Sequence, residues 1–224
     1  MAFARKYHAW IFEEIQPYLG ERIVEVGAGI GSFSKLLLSD RPRWIGLVEP
    51  SEMCERLAAS VAEWRKSTDI SVYRSTFREV AESIEAQKPE SIVYVNVLEH
   101  VADDRMELES MYRALPRNGR IVIFVPALPW LYGALDRRLG HYRRYRKTEL
   151  EAACRSIGFT IVHSRYFDLA GVVGWWLKYK VLRSESLEGG VVDFYDRYVV
   201  PISKKIESAF APPIGKNVLL VARK

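Results

Sequence analysis

The sequence predicts an α/β protein built on a doubly wound, mostly parallel sheet, and two observations carry that prediction. Short apolar runs alternate with helix-compatible stretches as far as Pro126, a rhythm typical of parallel strands joined by crossover helices. Directly after the first apolar run come three glycines at two-residue spacing, Gly27, Gly29 and Gly31. Glycine suits a strand-to-helix turn because the backbone there needs positive φ and approaches a bound ligand closely. In open α/β sheets, ligands bind at this carboxyl edge of the strands.

Apolar periodicity predicts the individual elements, and turn and cap residues set their limits. The predicted strands are 22–26, 44–48, 70–73, 91–96, 120–125, 159–167 and 217–222. The predicted helices are 5–19, 32–40, 52–66, 76–86, 103–115 and 148–157, with two further helical stretches inside 168–210. The residues that begin or end these elements are Gly20, Pro42, Ser51, the Asn118-Gly119 turn, Pro126, Thr148 and Gly158.

Composition excludes several classes of protein. The chain has 224 residues, 49% hydrophobic and 27% charged, which suits one soluble domain with a full core. Its net charge of +5 permits an acidic partner without requiring one. Cys54 and Cys154 form no CxxC pair, so neither a disulfide framework nor a zinc site is expected, and a cytoplasmic location is predicted. The longest apolar run, 169–177, is about half the length of a membrane span, and no secretion leader is predicted.

The glycine spacing separates two classes of nucleotide-cofactor protein. A dinucleotide fingerprint is G-x-G-x-x-G, whereas this chain has G-x-G-x-G, with Ser32 where the late glycine would stand. Glu49 follows about twenty residues on, where an acid accepts both hydroxyls of a ribose in either class. A nicotinamide-dependent oxidoreductase also commonly carries a Tyr-x-x-x-Lys pair, and no tyrosine here has lysine four residues on. The spacing therefore disfavours the oxidoreductase.

Four segments, in order, resemble the class I S-adenosylmethionine-dependent methyltransferases, and in particular their small-molecule branch. They are 24–31 with the glycines, 47–49 ending at Glu49, 96–101 (Asn-Val-Leu-Glu-His-Val) and 115–120 (Leu-Pro-Arg-Asn-Gly-Arg). The resemblance covers about residues 5–167 and, through the last strand, most of the chain. It implies a seven-stranded sheet whose last strand is antiparallel between the fifth and sixth, with a helical cap inserted before it.

The resemblance also implies the roles of the cofactor residues. The backbone of 27–31 would pass the methionyl and ribose portions, Glu49 would bind the ribose hydroxyls, and Asn96 and Val97 would line the sulfonium end. The turn after the third strand lacks the carboxylate that the family often offers to adenine, and Thr76 or a backbone carbonyl would replace it. The predicted contacts with S-adenosylmethionine are Tyr7, Glu25, Gly27, Ala28, Gly29, Gly31, Glu49, Pro50, Thr76, Phe77, Asn96 and Val97. No metal is expected.

Two histidines are candidates for a general base. Methyl transfer from a sulfonium mainly needs alignment and exclusion of water, but a hydroxyl acceptor often needs a base. His100 follows the fourth strand and His141 lies in a basic connection; each is either catalytic or a capping or solvent-facing histidine. Glu99 is interpreted as a helix-start or structural carboxylate rather than as an acid/base group.

The segment 130–147 interleaves basic residues with tyrosines and is long for a loop. It is either a solvated basic loop or a lid over the acceptor, whose arginines grip a carboxylate or phosphate. Nucleic acid is a weaker alternative because the net charge is modest. The predicted acceptor contacts are Tyr132, His141, Arg143, Arg144, Tyr145 and Trp175.

The stretch 168–210 is predicted to be a helical cap over the acceptor. Lys178, Lys180 and Arg183 lie near Trp175 and Trp176, a pattern that also suits contact with a membrane surface or a homodimer face. Relatives with such an extended C-terminal part resemble enzymes that act on glycan or lipid-linked substrates.

The predicted organisation is one methyltransferase domain, 1–224: a cofactor-binding half (5–126), an acceptor-side lid and helical cap (127–210) and a final strand (216–224). The predicted function is methyl transfer to an oxygen or nitrogen of a small-molecule, glycan or lipid-linked acceptor. The alternatives are a nicotinamide-dependent oxidoreductase and a non-catalytic S-adenosylmethionine-binding protein.

Overall fold

The computed structural model describes residues 4–64, 68–181 and 189–224, and these contain a seven-stranded sheet. The strands, in chain order, are β1 Arg22–Val26, β2 Trp44–Val48, β3 Asp69–Tyr73, β4 Ser91–Val95, β5 Arg120–Pro126, β6 Thr160–Phe167 and β7 Asn217–Arg223. Their spatial order is β3-β2-β1-β4-β5-β7-β6. The first five strands are parallel, and β7 runs antiparallel between β5 and β6. The predicted fold class is confirmed.

Helices cover both faces of the sheet. They are α1 Arg5–Ile15, α2 Ser34–Ser39, α3 Met53–Trp64, α4 Phe77–Ala86, α5 Asp104–Ala114, α6 Ala134–Arg138, α7 Lys147–Ile157, α8 Leu169–Trp175, α9 Gly189–Phe194 and α10 Val200–Glu207. One core lies under α1, α2, α3 and α10, and the other lies under α4, α5 and α7. The central strands are apolar on both sides because both faces are covered.

Two predicted helix limits were wrong for local reasons. The first helix ends at Ile15, and a 3₁₀ turn, Gln16–Tyr18, carries Pro17, which lacks the N–H that continues a helix. The second helix begins at Ser34 rather than Ser32, because the chain must first leave the left-handed conformation of Gly31. The predicted end of the third helix falls at 65–67, outside the described residues.

The segment 127–147 contains regular structure and buried side chains. A 3₁₀ turn, Pro129–Leu131, and α6 interrupt it, and Ala127 pairs with Tyr145 in a β-bridge. Leu131, Leu135 and Tyr145 are buried. The segment is therefore folded rather than an open loop, although its Arg137, Arg138 and Arg146 are exposed as a solvated basic surface would be.

The helices after β6 expose apolar side chains. The turns Trp176–Val181 and Tyr195–Val199, both π-helical, extend α8 and join α9 to α10. The exposed apolar residues on these elements are Val173, Trp176, Leu177, Val191, Phe194, Tyr198, Ile202 and Ile206. Arg183 lies outside the described residues. Among those described, no helix combines the length and the apolar character that crossing a membrane requires.

Candidate active site

The turn after β1 has the left-handed conformation that its glycines predict. Gly27, Gly29 and Gly31 have φ values of +71°, +58° and +84°. A Cβ on Gly27 would lie 2.4 Å from Val97 Cγ2, so this turn packs directly against the residue that follows β4 by two positions. Around Gly29 a Cβ would meet nothing within 4 Å. The turn is thus closed on the sheet side at Gly27 and open at Gly29, where a ligand can approach the backbone.

Glu49, directly after β2, holds the same turn. Its Oε2 accepts a hydrogen bond from the Gly29 N–H at 2.7 Å, and its Oε1 accepts one from the Ser51 N–H at 3.0 Å. The carboxylate is buried and lies at the carboxyl edge of the sheet. Two acceptor oxygens on a glycine turn are the arrangement that binds the paired hydroxyls of a ribose. These residues fit the nucleoside part of a cofactor.

Asn96 and Tyr7 reach the same edge of the sheet. Asn96 has a φ of +55°, a conformation that asparagine tolerates better than most residues. Asn217 Nδ2 lies 3.5 Å from Asn96 Oδ1, and the Tyr7 hydroxyl donates to Asn217 Oδ1 at 3.0 Å. Asn217 is thus the link that joins β7 to the site, and the sequence analysis assigned it no role. Its position as the first residue of the last strand was the available signal.

Two predicted cofactor residues bury their side chains elsewhere. Phe77 lies in the core, edge-on to Tyr94 with ring centroids 5.9 Å apart, so its ring is not at the site and only its backbone remains for the predicted cofactor contact. Glu25 is buried against α2 and accepts a hydrogen bond from the Ser34 hydroxyl. Burial raises the pKa of Glu25 to about 8.

Three further predicted cofactor residues, Thr76, Ala28 and Pro50, lie in a helix cap or in the two turns at the sheet edge. The Thr76 hydroxyl donates to Glu79 Oε2 at 2.8 Å and caps α4, so it is engaged in the capping box. Ala28 is buried within the turn, and Pro50 is exposed beside Glu49.

Arg144 belongs to a buried ion pair. Its Nε donates to Asp136 Oδ1 at 2.8 Å and its Nη1 to the Ala127 carbonyl at 3.2 Å. The side chains of Arg144 and Asp136 are 1% and 0% exposed, and the guanidinium lies 4.5 Å from the centroid of the Trp175 ring. The prediction that Arg144 grips an acceptor is therefore wrong, because Asp136, Ala127 and Trp175 already surround its charge.

Tyr145 and Tyr132 also hold the segment in place. The Tyr145 hydroxyl donates toward the Leu98 carbonyl at 3.2 Å and Asp104 Oδ2 at 3.0 Å, and its ring lies in the core. Tyr145 therefore joins the lid to the 3₁₀ turn after β4 and to α5 rather than contacting an acceptor. The Tyr132 hydroxyl donates to the His141 carbonyl at 2.8 Å.

Arg143 is the more accessible of the two adjacent arginines. It forms an ion pair with Asp104 at 2.8 Å and donates to the Ala102 carbonyl, yet about a third of its side chain is exposed. It remains a candidate for an acceptor contact.

The two predicted histidines lie together. The ring centroids of His100 and His141 are 4.7 Å apart, at an interplanar angle of 83°. His141 Nδ1 lies 3.0 Å from Asp136 Oδ1. Burial and the neighbouring His141 lower the pKa of His100, and a hydrogen bond to the Gly140 backbone acts in the opposite direction. Although burial opposes it, the bonds from His141 and Arg144 lower the pKa of Asp136. Asp136, to which the sequence analysis assigned no role, is the centre of this arrangement.

Glu99 is the unexpected member of the group. It lies in the first turn of a 3₁₀ helix, Leu98–His100, and it is fully buried. Neither of its carboxylate oxygens has a hydrogen-bond partner within the described part of the chain. Burial raises its pKa to about 8. Glu99, His100 and His141 each place one possible ligand atom within 4.8 Å of the others.

Comparisons with known proteins identify the family. The model of the methyltransferase domain family matches residues 3–164, well over half of the chain. No curated protein sequence matches.

Several solved structures are similar in fold. A SAM-dependent methyltransferase from Archaeoglobus fulgidus is 17% identical, with 97% of this chain and 94% of that chain covered at a TM-score of 0.59. An S-adenosylmethionine-dependent methyltransferase from Mesorhizobium loti is 15% identical, with 96% of both chains covered and a TM-score of 0.64.

The 1,6-didemethyltoxoflavin-N1-methyltransferase of Burkholderia thailandensis, solved with S-adenosylhomocysteine, is 16% identical. The alignment covers 99% of this chain and 78% of that chain at a TM-score of 0.61. At these identities the likeness establishes the fold, and the family model adds the class. By its strand order, its glycine turn and that model, the chain belongs to the class I S-adenosylmethionine-dependent methyltransferase family.

Proposed function

We propose that the protein transfers a methyl group from S-adenosylmethionine to an oxygen or nitrogen of a small-molecule, glycan or lipid-linked acceptor. One observation carries the cofactor assignment: a left-handed glycine turn whose central N–H is bound by the buried carboxylate of Glu49. The oxidoreductase alternative is set aside, because the family is that of methyltransferases.

The cofactor residues divide by position along the sheet edge. Glu49, after β2, binds the ribose hydroxyls, and the backbone at Gly29 passes the methionyl portion. Asn96 and Val97, after β4, line the sulfonium end, and Tyr7 supports Asn96 through Asn217. S-adenosylmethionine supplies an electrophilic methyl group, so the protein's task is to align the acceptor with it and to exclude water.

The acceptor is expected beside the 3₁₀ turn after β4. His100 and His141 lie there and can take the proton that a hydroxyl acceptor loses, whereas an amine needs only to arrive neutral. We retain Arg143 and Tyr132 of the lid and Trp175 of the cap as acceptor contacts. Arg143 would bind an anionic group.

The exposed apolar surface of the cap suits an acceptor that has an apolar part. Exposed side chains on α8, the π-helical turn after it and α9, such as Val173, Trp176 and Phe194, offer a surface that a lipid-linked acceptor, a membrane surface or a second copy could cover. A cytoplasmic location accords with Cys54 and Cys154, which are both free thiols.

Calorimetry tests the cofactor assignment. S-adenosylmethionine and S-adenosylhomocysteine should bind and NADH should not. Glu49→Gln should weaken the binding of S-adenosylhomocysteine by about 10- to 100-fold, since it removes charge-assisted hydrogen bonds worth about 1.5–3 kcal/mol. Glu52→Gln, an exposed change three residues on, is the matched control and should bind as the wild type does. A wild-type protein that binds neither sulfur compound would refute the proposal.

A further inference from the structure

Three residues around the lid converge on one point. Glu99 and His100 come from the 3₁₀ turn after β4, and His141 comes from the segment after α6. Their ligand atoms lie within 4.8 Å of one another. A carboxylate and two imidazoles are a donor set that recurs in protein sites for divalent metals.

The carboxylate of Glu99 has no hydrogen-bond partner within the described residues. It is also fully buried. The nearest guanidinium, that of Arg144, is hydrogen-bonded to Asp136 and Ala127 instead. Buried carboxylates without partners are costly, and they are usually paired or bound to a cation. The Glu99 carboxyl group, which has an oxygen near both histidines and no hydrogen-bond partner among the described residues, is therefore available to coordinate a cation.

Each histidine has one ring nitrogen held by another group of the protein. His141 Nδ1 is bonded to Asp136, which leaves Nε2 as the free ring nitrogen. His100 is bonded to the backbone of Gly140, whose left-handed φ of +78° places the chain close to the ring. Metal-binding histidines typically have their second nitrogen held by a carboxylate or a carbonyl group. Asp136 and Gly140 provide one of each.

The site also has an entrance. Glu99 is at its buried end, His141 is partly buried and His100 is exposed. An ion can therefore enter from the solvent side. Three protein ligands leave further coordination positions open, which is typical of catalytic rather than structural metal sites.

We propose that Glu99, His100 and His141 bind one divalent first-row transition cation of the Mn²⁺-to-Zn²⁺ series. Two imidazoles favour such ions over Mg²⁺ or Ca²⁺, which prefer oxygen ligands. A cation bound there would occupy the free ring nitrogens of His100 and His141, so we assign the two histidines here as ligands in place of the general-base role that the proposed function gives them.

The metal site also indicates which atom of the acceptor is methylated. Resting on the proposed function, we place a hydroxyl of the acceptor in an open coordination position. The bound cation lowers the pKa of that hydroxyl, and its proton passes to solvent. The oxygen then attacks the methyl carbon: an O–C bond forms, the S–C bond breaks, and its electron pair stays on sulfur as a neutral thioether. The acceptor class is thus an alcohol or phenol, and the transfer is to oxygen.

Metal binding is measured first and without any acceptor. The full chain, stripped with a chelator, is titrated with Co²⁺ and Zn²⁺ by calorimetry, and Co²⁺ is followed by its visible absorption. We expect one ion per chain, with Mg²⁺ at least about tenfold weaker. Glu99→Gln and His141→Gln should each weaken Co²⁺ binding at least tenfold and abolish the absorption band. Glu99→Gln keeps the shape of the side chain, so it serves if His141→Gln fails to fold.

Two controls match the substitutions. His163→Gln alters another histidine and Glu107→Gln another buried carboxyl, which is bonded to Tyr94; both should bind Co²⁺ as the wild type does. A wild-type chain that binds no ion, or Co²⁺ binding that survives Glu99→Gln, would overturn the proposal. S-adenosylhomocysteine binding, measured on the same stripped protein, is independent of this result. If the stripped wild-type protein does not bind S-adenosylhomocysteine, the proposed function is refuted, whereas the metal-site proposal is unaffected.

Discussion

Replacing the adjacent arginines Arg143 and Arg144 with methionine, one at a time, tests whether the lid is a structural or a ligand-gripping element. The two substitutions are chemically identical. Arg144 is 1% exposed and shares a hydrogen bond with Asp136, which is 0% exposed. Arg143 pairs with Asp104 at the surface and is about a third exposed.

The expected losses in the free energy of unfolding differ several-fold between the two variants. Arg144→Met leaves Asp136 as a buried charge whose remaining partners are the Gly133 N–H and His141. Breaking a buried pair in this way costs about 3–5 kcal/mol, whereas an exposed pair is worth about 0–1 kcal/mol. For a chain of this size the first value lowers the melting temperature by about 6–20 °C.

Urea unfolding followed by circular dichroism gives both values, and calorimetry with S-adenosylhomocysteine shows whether cofactor affinity is preserved, as we expect for both variants. If Arg144→Met were as stable as Arg143→Met while acceptor turnover fell, Arg144 would be a ligand-binding residue after all. That result would refute the buried-pair interpretation.

Two further predictions concern the turn and its neighbour. Gly29→Ala should weaken S-adenosylhomocysteine binding more than tenfold, because the new Cβ occupies space that the ligand would fill. Its left-handed backbone should cost about 1–2 kcal/mol of stability. Gly27→Ala should cost more stability, because its Cβ would also collide with Val97. Equal stability losses in the two variants, by urea unfolding, would contradict this. Burial raises the pKa of Glu25 from 4.5 to about 8, so the folded protein retains a proton that the unfolded chain releases. Wild-type stability should therefore fall by a few kcal/mol between pH 5 and pH 8.5. Glu25→Gln should lose less over this range, because the titration of Glu25 is removed while the raised pKa of Glu99, about 8, still contributes in the same direction; parallel curves would show that Glu25 titrates normally.

The sequence was a good guide to the sheet and to the glycine turn because their signals are local. Apolar runs and glycine spacing depend on neighbouring residues, and the family resemblance supplied the place of β7. Glu49 could be expected near the turn because parallel strands end at one edge of the sheet.

The lid was harder to predict because its interactions are not local. A run such as Arg143 and Arg144 suggests a solvated surface, and only the fold shows that Asp136 and Trp175 enclose one of the two side chains. Glu99 had an ordinary explanation at a helix start. Its significance depends on His141, which follows only after two helices, a strand and a 3₁₀ turn.

Phe77 shows a different limit. The segment after β3 was correctly expected to end a strand and start a helix, but sequence position does not tell which way a side chain at such a junction points. Its ring packs on Tyr94, beneath the sheet edge.

The place of β7 between β5 and β6 has a consequence for biosynthesis. When β5 and β6 have left the ribosome, neither can pair with the other, because the strand that joins them is encoded some fifty residues later. At roughly 5–20 residues per second, the nascent chain spends several seconds with the apolar edge of β5 uncovered. Open strand edges of this kind recruit other chains. A nascent or truncated chain that stops before Asn217 would therefore be a natural client for chaperones.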